Sequence, residues 1–542
     1  MTTTLEAPPA TTAPADATAP ATDSSPAHPD ATSTTAHAAT APAAAHQAAT
    51  AADTATASVV ATADGGTDAD TAEESRPYPR RWWGLWAILG ATLMNLLDGT
   101  VGNVAAPAIR ADLGGSLSML QWIAAGYTLA MAIGLLTGGR LGDMYGRKRM
   151  LMVGVIGFVA ASLACGLAVS PETLIAARVL QGGFGALMIP QCFGLIRDLF
   201  GREMGKAYAA FGPAIGLATI LGPVVAGLLI DADLGGSGWR MIFLINLPLG
   251  AFCLVVGAKV LPSAQPTARG QRLDVVGAII AGAGMSMLVY PLVHGREAGW
   301  PTWSLVMLAA SVPVLAGFGW YQLRRTRAGR TPLVELSVFA KRAYTSGVGF
   351  VVLFFGAIVG FSLAVGLFLQ LGLHYSPLQA SVAMAAWAVG AFVGTGASAG
   401  MQKLGRKVLH IGLVLMVAGL AGLYLVLSTA GVELGGWDLT APLFVYGAGM
   451  GMIFVPLFGI IVAGVSDHEV GSASGMLESF QQLGASLGVA GLGTVFFSGI
   501  GATAGAADFL ASAKLITLIT VGLTVATFAV GFLLPKQSRE TH

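Results

Sequence analysis

The chain has 542 residues, 54% of them hydrophobic and only 11% charged, with a net charge of +1. A soluble domain carries about 25% charged residues, so the composition excludes an ordinary soluble protein, and no nucleic-acid partner is expected. It points to a polytopic membrane protein whose partner is the lipid bilayer. Cys165, Cys192 and Cys253 lie inside apolar runs and read as small buried hydrophobes, with no disulfide framework implied.

Residues 1–80 form an Ala/Thr/Pro-rich tail with almost no large apolar residues. Such a stretch cannot bury a core, and disorder is expected. It lacks the basic and apolar regions of a secretory signal. Ten acids, from Glu6 to Glu74, precede the first base, Arg76, so the rest of the chain carries about +11. The tail reads as an inert solubilising extension or as an acidic brush over a basic membrane face. Arg76, Arg80 and Arg81 with Trp82, Trp83 and Trp86 form an interfacial anchor before the first span.

A membrane helix needs roughly 20 apolar residues. On that measure span one runs from about residue 83 to 107, and span two from 120 to 138. Span three covers 150–169, span four 173–196, span five 207–230 and span six 241–261. Spans seven (275–293) and eight (303–323) follow. Span nine covers 344–371, ten 378–400, eleven 408–427, twelve 441–465, thirteen 472–497 and fourteen 513–534. Residues 333–340 suggest a short interfacial helix. The loops holding Arg147–Arg149, Arg197–Lys206, Arg324–Arg330 and Lys403–Lys407 are basic, as are Lys536 and Arg539 after span fourteen. The positive-inside rule puts these loops and both termini in the cytoplasm.

Leu404-Gly-Arg-Lys-Val-Leu409 echoes Tyr145-Gly-Arg-Lys-Arg-Met150. Matching loops after the second span of each half fit a duplicated transporter plan with two extra spans between the halves. The expected division is a tail (1–80), an N-terminal six-helix half (81–262), two additional spans with a linker (263–330) and a C-terminal six-helix half (331–542).

Asp98 lies inside span one, where a charged carboxyl costs at least a few kcal/mol near mid-membrane. Asn95, Asp98 and Gly102 share a helix face. Such an acid can load and release a proton; a structural hydrogen-bonding acid is the plainer alternative. In span four Arg178, Gln181, Gly182 and Gly185 share a face. A buried guanidinium needs a partner, best a carboxylate, unless it snorkels to the interface. Glu478, Gln481 and Gln482 form a polar stripe on span thirteen, suited to a water-filled path or to an interhelical network. Asn95, Gln181, Glu478, Gln481 and Gln482 are the candidate cavity residues. In span five, Gly212-Pro213 and Gly222-Pro223 with Gly227 would kink the helix and admit a neighbour closely. Nucleotide-loop, nucleophile-elbow and metal-cluster patterns are absent, so neither ATP nor a metal is expected.

Gly139-Arg-Leu-Gly-Asp-Met-Tyr-Gly-Arg-Lys-Arg-Met-Leu151 resembles the loop signature of the major facilitator superfamily, G-x-L-a-D-r-x-G-r-k-x-x-l, with Gly142 where alanine is usual. Leu97-Asp-Gly-Thr-Val-Gly-Asn-Val-Ala-Ala-Pro107 is similar to the span-one pattern of that family's fourteen-span drug:proton antiporters. Arg178, Gln181 and Gly182 resemble its span-four motif. Gly222, Pro223 and Gly227 resemble its span-five antiporter motif, and Phe243–Pro248 resembles its entry into span six.

The resemblance implies an all-α major facilitator fold of about fourteen transmembrane helices in a bacterial plasma membrane. It implies no enzyme activity and no cofactor beyond a proton gradient. The expected function is proton-coupled export of hydrophobic or amphiphilic small molecules by a monomer. Asp98 and Arg178 would couple protons. Gly139, Asp143, Gly146, Arg147 and Lys148 would form a cytoplasmic latch, with Asp143 against Ser472 at the start of span thirteen. Gly222, Pro223 and Gly227 would act as the antiporter hinge. Span ten contains no acid, so neutral, zwitterionic or monocationic cargo is expected rather than dications. The alternatives are an exporter of one endogenous metabolite or siderophore, and a non-transporting membrane sensor.

Overall fold

The computed structural model describes residues 78–203, 206–207, 210, 222–263, 266, 272–435, 437–462, 465, 470–501 and 504–536. All belong to one unit, Ala52–His542. The tail before Tyr78 and the Gly212-Pro213 kink lie outside the described residues. So do the side chains of Thr100–Asn103 and Ser472.

The helices follow the apolar runs. They are α1 (Arg81–Val104), α2 (Leu117–Tyr145), α3 (Arg147–Gly166), α4 (Pro171–Phe200), α5 (Gly222–Asp231) and α6 (Asn246–Val260). Then come α7 (Val275–His294), α8 (Thr302–Arg327), α9 (Arg342–Leu367) and α10 (Pro377–Gly400). The last four are α11 (Lys407–Thr429), α12 (Thr440–Val462), α13 (Val470–Ser498) and α14 (Ala506–Gly531). Among the described residues, 12 helical segments are long and apolar enough to cross a membrane, α6 counting together with the turns before it as Gly238–Val260. The remaining two, α1 and the short α5, stand where spans one and five were expected. The anticipated helix at 333–340 is a 3-10 turn, Leu336–Ala340.

Local chemistry sets the ends. Ser170 and Ser376 each close a capping box at the start of α4 and α10, with proline in the first turn. Gly146 reverses the chain between α2 and α3 with φ 93°, a conformation that favours glycine. A π-turn, Phe368–Gly372, extends α9 and carries Gln370.

The basic loops gather at one end of the bundle. There Arg147 donates to Asp198 (3.2 Å), and Lys148 Nζ donates to the carbonyls of Ala258 (2.9 Å) and Leu261 (2.7 Å). The two halves meet along α2 and α13 through a row of small polar groups. Ser479 Oγ donates to Ala132 O (2.6 Å), Ser486 Oγ to Ala125 O (3.2 Å), and Gln121 Nε2 to Ala490 O (3.2 Å). In a helix pair without a strong hydrophobic drive, such bonds and close packing hold the seam.

The halves also touch at both ends. At the basic end Arg140 donates to Pro332 O (3.2 Å) and pairs with Glu335 (3.5 Å). At the opposite end Ser376 Oγ donates to Asp231 (2.6 Å). Gly227 lies so close to α10 that a Cβ there would stand 2.8 Å from Leu378 Cα.

The extra pair, α7 and α8, is tied in at both ends by polar contacts. At the opposite end Trp122 Nε1 donates to His294 Nδ1 (3.0 Å), and Glu297 accepts from Ser118 N (2.8 Å). At the basic end Asp274 caps α7 by accepting from Gly277 N (3.0 Å). It also accepts from Tyr321 (2.9 Å) and Gln322 (2.8 Å). Gln322 Oε1 then accepts from Leu333 N (2.8 Å), and Arg325 Nε donates to Thr331 O (2.8 Å). The pair thereby holds the linker that leads into α9.

Candidate functional site

Asp98 and Arg178 meet in the interior of the N-terminal half. Asp98 is 1% exposed and Arg178 is fully buried. Arg178 NH1 donates to Asp98 Oδ2 in an ion pair. The same nitrogen donates to Gln181 Oε1 (2.8 Å), and Nε donates to Ile123 O (3.0 Å). Gln181 Nε2 donates to Asp98 Oδ1 and to Ser162 Oγ, both at 2.8 Å. The guanidinium carbon stands 4.3 Å from the Tyr127 ring centre, a cation–π contact that is stronger where water is excluded. Asn246 Nδ2 reaches Ser162 Oγ (3.2 Å).

Two buried charges are tolerated only when paired and fully hydrogen-bonded. This cluster meets that demand by drawing on α1, α2, α3, α4 and α6. A proton on Asp98 would cancel the ion pair and leave Arg178 buried without its counter-charge, so protonation and the packing of five helices are linked.

Beside the cluster lies a cavity of about 340 Å³ between the two halves. Its wall includes Asn95, Leu96 and Gly99 of α1, Tyr127 and Thr128 of α2, and Pro223 of α5. The C-terminal half contributes Phe355 and Gln370, Met384 and Trp387 of α10, Phe454 of α12, and Gln481 and Gln482 of α13. Among the described residues, no charged side chain is in this wall. Apolar and aromatic surface with a few amides and hydroxyls suits an uncharged organic molecule.

The structure thus brings Asn95, Gln481 and Gln482 to the cavity and Asp98, Arg178 and Gln181 to the buried cluster. Two of the expected cavity residues are corrected. Gln181 is fully buried and its amide is spent on Asp98, Arg178 and Ser162. Glu478 is absent from the wall because it sits a turn before Gln481 and Gln482, nearer the basic end. Pro223 of the span-five motif lines the cavity, while Gly227 abuts α10.

At the basic end, Gly139 and Gly142 face α4. Asp143 pairs with Arg147 (3.7 Å), which also holds Asp198. Tyr127, Ser162 and Asn246 were not singled out as members of the cluster. Their types are common in membrane helices, and only the three-dimensional packing assigns them. Among the described residues, no group of three His, Cys, Asp or Glu side chains could hold a metal.

Residues 88–489 match the Major Facilitator Superfamily. The chain is 50% identical to a probable actinorhodin transporter of Streptomyces coelicolor, over 81% of this chain and 77% of that protein. It is 36% identical to a puromycin resistance protein of Streptomyces alboniger, over 84% and 90% of the two chains. It is 34% identical to a tetracenomycin C resistance and export protein of Streptomyces glaucescens, over 78% and 77%. Among solved structures, a peptide transporter POT in complex with sulfate aligns with TM-score 0.61 at 16% identity, over 86% of this chain and all of that one. At that identity the likeness concerns the fold.

Proposed function

Since the chain belongs to the Major Facilitator Superfamily and its relatives include antibiotic exporters, we propose that it is a proton-coupled antiporter that exports hydrophobic or amphiphilic small molecules of the antibiotic type. The observation that carries this reading is the buried Asp98–Arg178–Gln181 cluster set against an uncharged cavity between the halves. Asp98 takes up the proton, and Arg178 stabilises the charged form. Asn95, Gln481 and Gln482 meet the cargo.

The basic end faces the cytoplasm by the positive-inside rule, with both termini there. On the same reading Gly139, Asp143, Gly146, Arg147 and Lys148 form the inner latch, and Gly222, Pro223 and Gly227 the hinge. The halves are 81–262 and 331–542, with 263–330 between them.

The test uses proteoliposomes with an imposed proton gradient and a panel containing actinorhodin, puromycin and tetracenomycin C. A panel member should collapse the gradient with the wild-type protein and leave it intact with Asp98→Asn. If substrate moves equally well without any gradient, and carries no protons, the antiport reading is wrong.

A further inference from the structure

Arg178 NH1, Gln181 Nε2 and the Asn246 amide reach the Asp98 carboxyl, and each of them donates. That surrounding suits a carboxylate, which only accepts. A protonated Asp98 carries an O–H, and a buried donor left without an acceptor is costly. Most acceptors around it are already engaged. Gln181 Oε1 accepts from Arg178 NH1 (2.8 Å) and from Cys165 Sγ (3.6 Å). Ser162 Oγ accepts from Gln181 Nε2 (2.8 Å) and from Asn246 Nδ2 (3.2 Å). Ile123 O holds Arg178 Nε (3.0 Å), and the Tyr127 hydroxyl is turned to Asn95 O (3.5 Å). Asn246 Oδ1 is different. It is buried and has no hydrogen-bond partner among the described residues.

From this geometry we infer that Asn246 Oδ1 is the acceptor that holds the proton on Asp98, the amide turning Nδ2 toward the charged carboxyl and Oδ1 toward the protonated one. The inference deepens the antiport reading and rests on it. Asn246 is 1% exposed and is the first residue of α6. A half-turn about its Cβ–Cγ bond exchanges the two edges, and that torsion has broad, roughly two-fold wells. One amide atom stays unpaired in each arrangement: Oδ1 beside the charged acid, Nδ2 beside the protonated one. The amide therefore does not lock Asp98 into a single state. The charged and titratable groups around Asp98 are Arg178 from α4, Tyr127 from α2 and Cys165 from α3. From α6 the neutral Asn246 faces it. The proton comes from water and returns to it, and the Asp98 O–H is the only covalent bond made and broken. Asn246 touches no cargo and acts through Asp98, so it is a positioning residue.

The test is infrared difference spectroscopy between acid and alkaline pH, on the full-length protein in lipid vesicles. Asp98→Asn identifies the carbonyl band of protonated Asp98 by removing it. The chain has three asparagines, Asn95, Asn103 and Asn246, so asparagine isotopically labelled in its side-chain carbonyl adds few bands. In the labelled wild-type protein an asparagine carbonyl band should shift to lower frequency as the Asp98 band appears, with the same pH midpoint, because its oxygen gains a hydrogen bond. This measurement needs no variant at position 246 to fold. Asn246→Leu should abolish the shifting band and move the Asp98 carbonyl band to higher frequency, because the O–H loses its acceptor. If the labelled band stays still while the Asp98 band appears, or Asn246→Leu leaves the Asp98 band in place, the inference fails and the antiport reading stands. A shifting band that survives Asn246→Leu belongs to Asn95 or Asn103 and also overturns it. If no band vanishes in Asp98→Asn, Asp98 takes up no proton, and the antiport reading fails with the inference.

Discussion

Gln191 of α4 fills the space that a side chain at position 142 of α2 would need. Its Nε2 donates to Gly138 O at 2.8 Å, which lays the amide across Gly142. The loop signature has alanine where this chain has Gly142, so the departure from the pattern and the glutamine opposite it are two halves of one packing solution. Gly142→Ala should therefore destabilise the protein by about 1–3 kcal/mol, the usual cost of overpacking. Thermal unfolding in detergent would show it, and Gln191→Ala in the same chain should recover most of the loss. Strict additivity of the two changes would break the link between them.

Removing either partner of the Asp98–Arg178 pair has unequal consequences. Arg178→Ala leaves a carboxylate buried alone, and truncating a buried pair costs about 3–5 kcal/mol; a lowered melting temperature with poor membrane yield is expected. Asp98→Asn keeps the shape but turns one of the two accepting edges into a donor and leaves Arg178 without its counter-charge. It should lose some stability, less than Arg178→Ala, still bind cargo, and lose proton-driven export. Equal melting temperatures for the two variants would show that the charge pairing contributes little to the fold.

Asp274 is 4% exposed and receives hydrogen bonds from Gly277, Tyr321 and Gln322. Asp274→Ala removes a helix cap, worth about 1 kcal/mol, and strands one buried donor, the Gln322 amide. A total loss of about 2–4 kcal/mol follows. The linker should also become easier to cleave, because Gln322 would no longer be steadied as it holds Leu333. Limited proteolysis between α8 and α9 would report this, and unchanged cleavage would confine the role of Asp274 to capping.

At the opposite end, the Arg240 guanidinium (2.6 Å) and the Trp239 indole N–H (3.0 Å) hold Asp112 below the usual carboxylate range. A depressed pKa gives stability that is fully present above the ordinary Asp value of about 3.9 and is lost as pH falls through the lower folded value. Asp112→Asn should thus lower stability at neutral pH by a small, salt-sensitive amount, since the pair is half-exposed. The gap between variant and wild type should close only in strong acid. A gap that widens on acidification would reverse the sign of this argument.

Much of the fold was legible because lipid imposes simple demands. Each apolar run had to be a helix, and clusters such as Arg147–Arg149 marked one end of the bundle. The need of Arg178 for an acid was also readable, since no isolated guanidinium is stable in a dry interior. What escaped was contact across long separations among ordinary residues. Gln181 and Asn95 carry similar amides on bundle-facing helix faces, yet one is consumed by the ion pair and the other lines the cavity. Helical periodicity gives the face of a residue but not its neighbour. The Asp274–Gln322 contact is of the same kind, joining the start of α7 to the end of α8 across 48 residues.

The uncharged wall of the cavity has an electrical consequence. If the cargo is neutral and each export cycle admits a proton, every turnover carries net positive charge inward. The exchange is then electrogenic, and the membrane voltage drives it together with the pH difference. Each elementary charge crossing 100 mV contributes about 2.3 kcal/mol, enough for a gradient of roughly fiftyfold in a neutral molecule. A cell at external pH equal to its own could still expel such cargo on voltage alone.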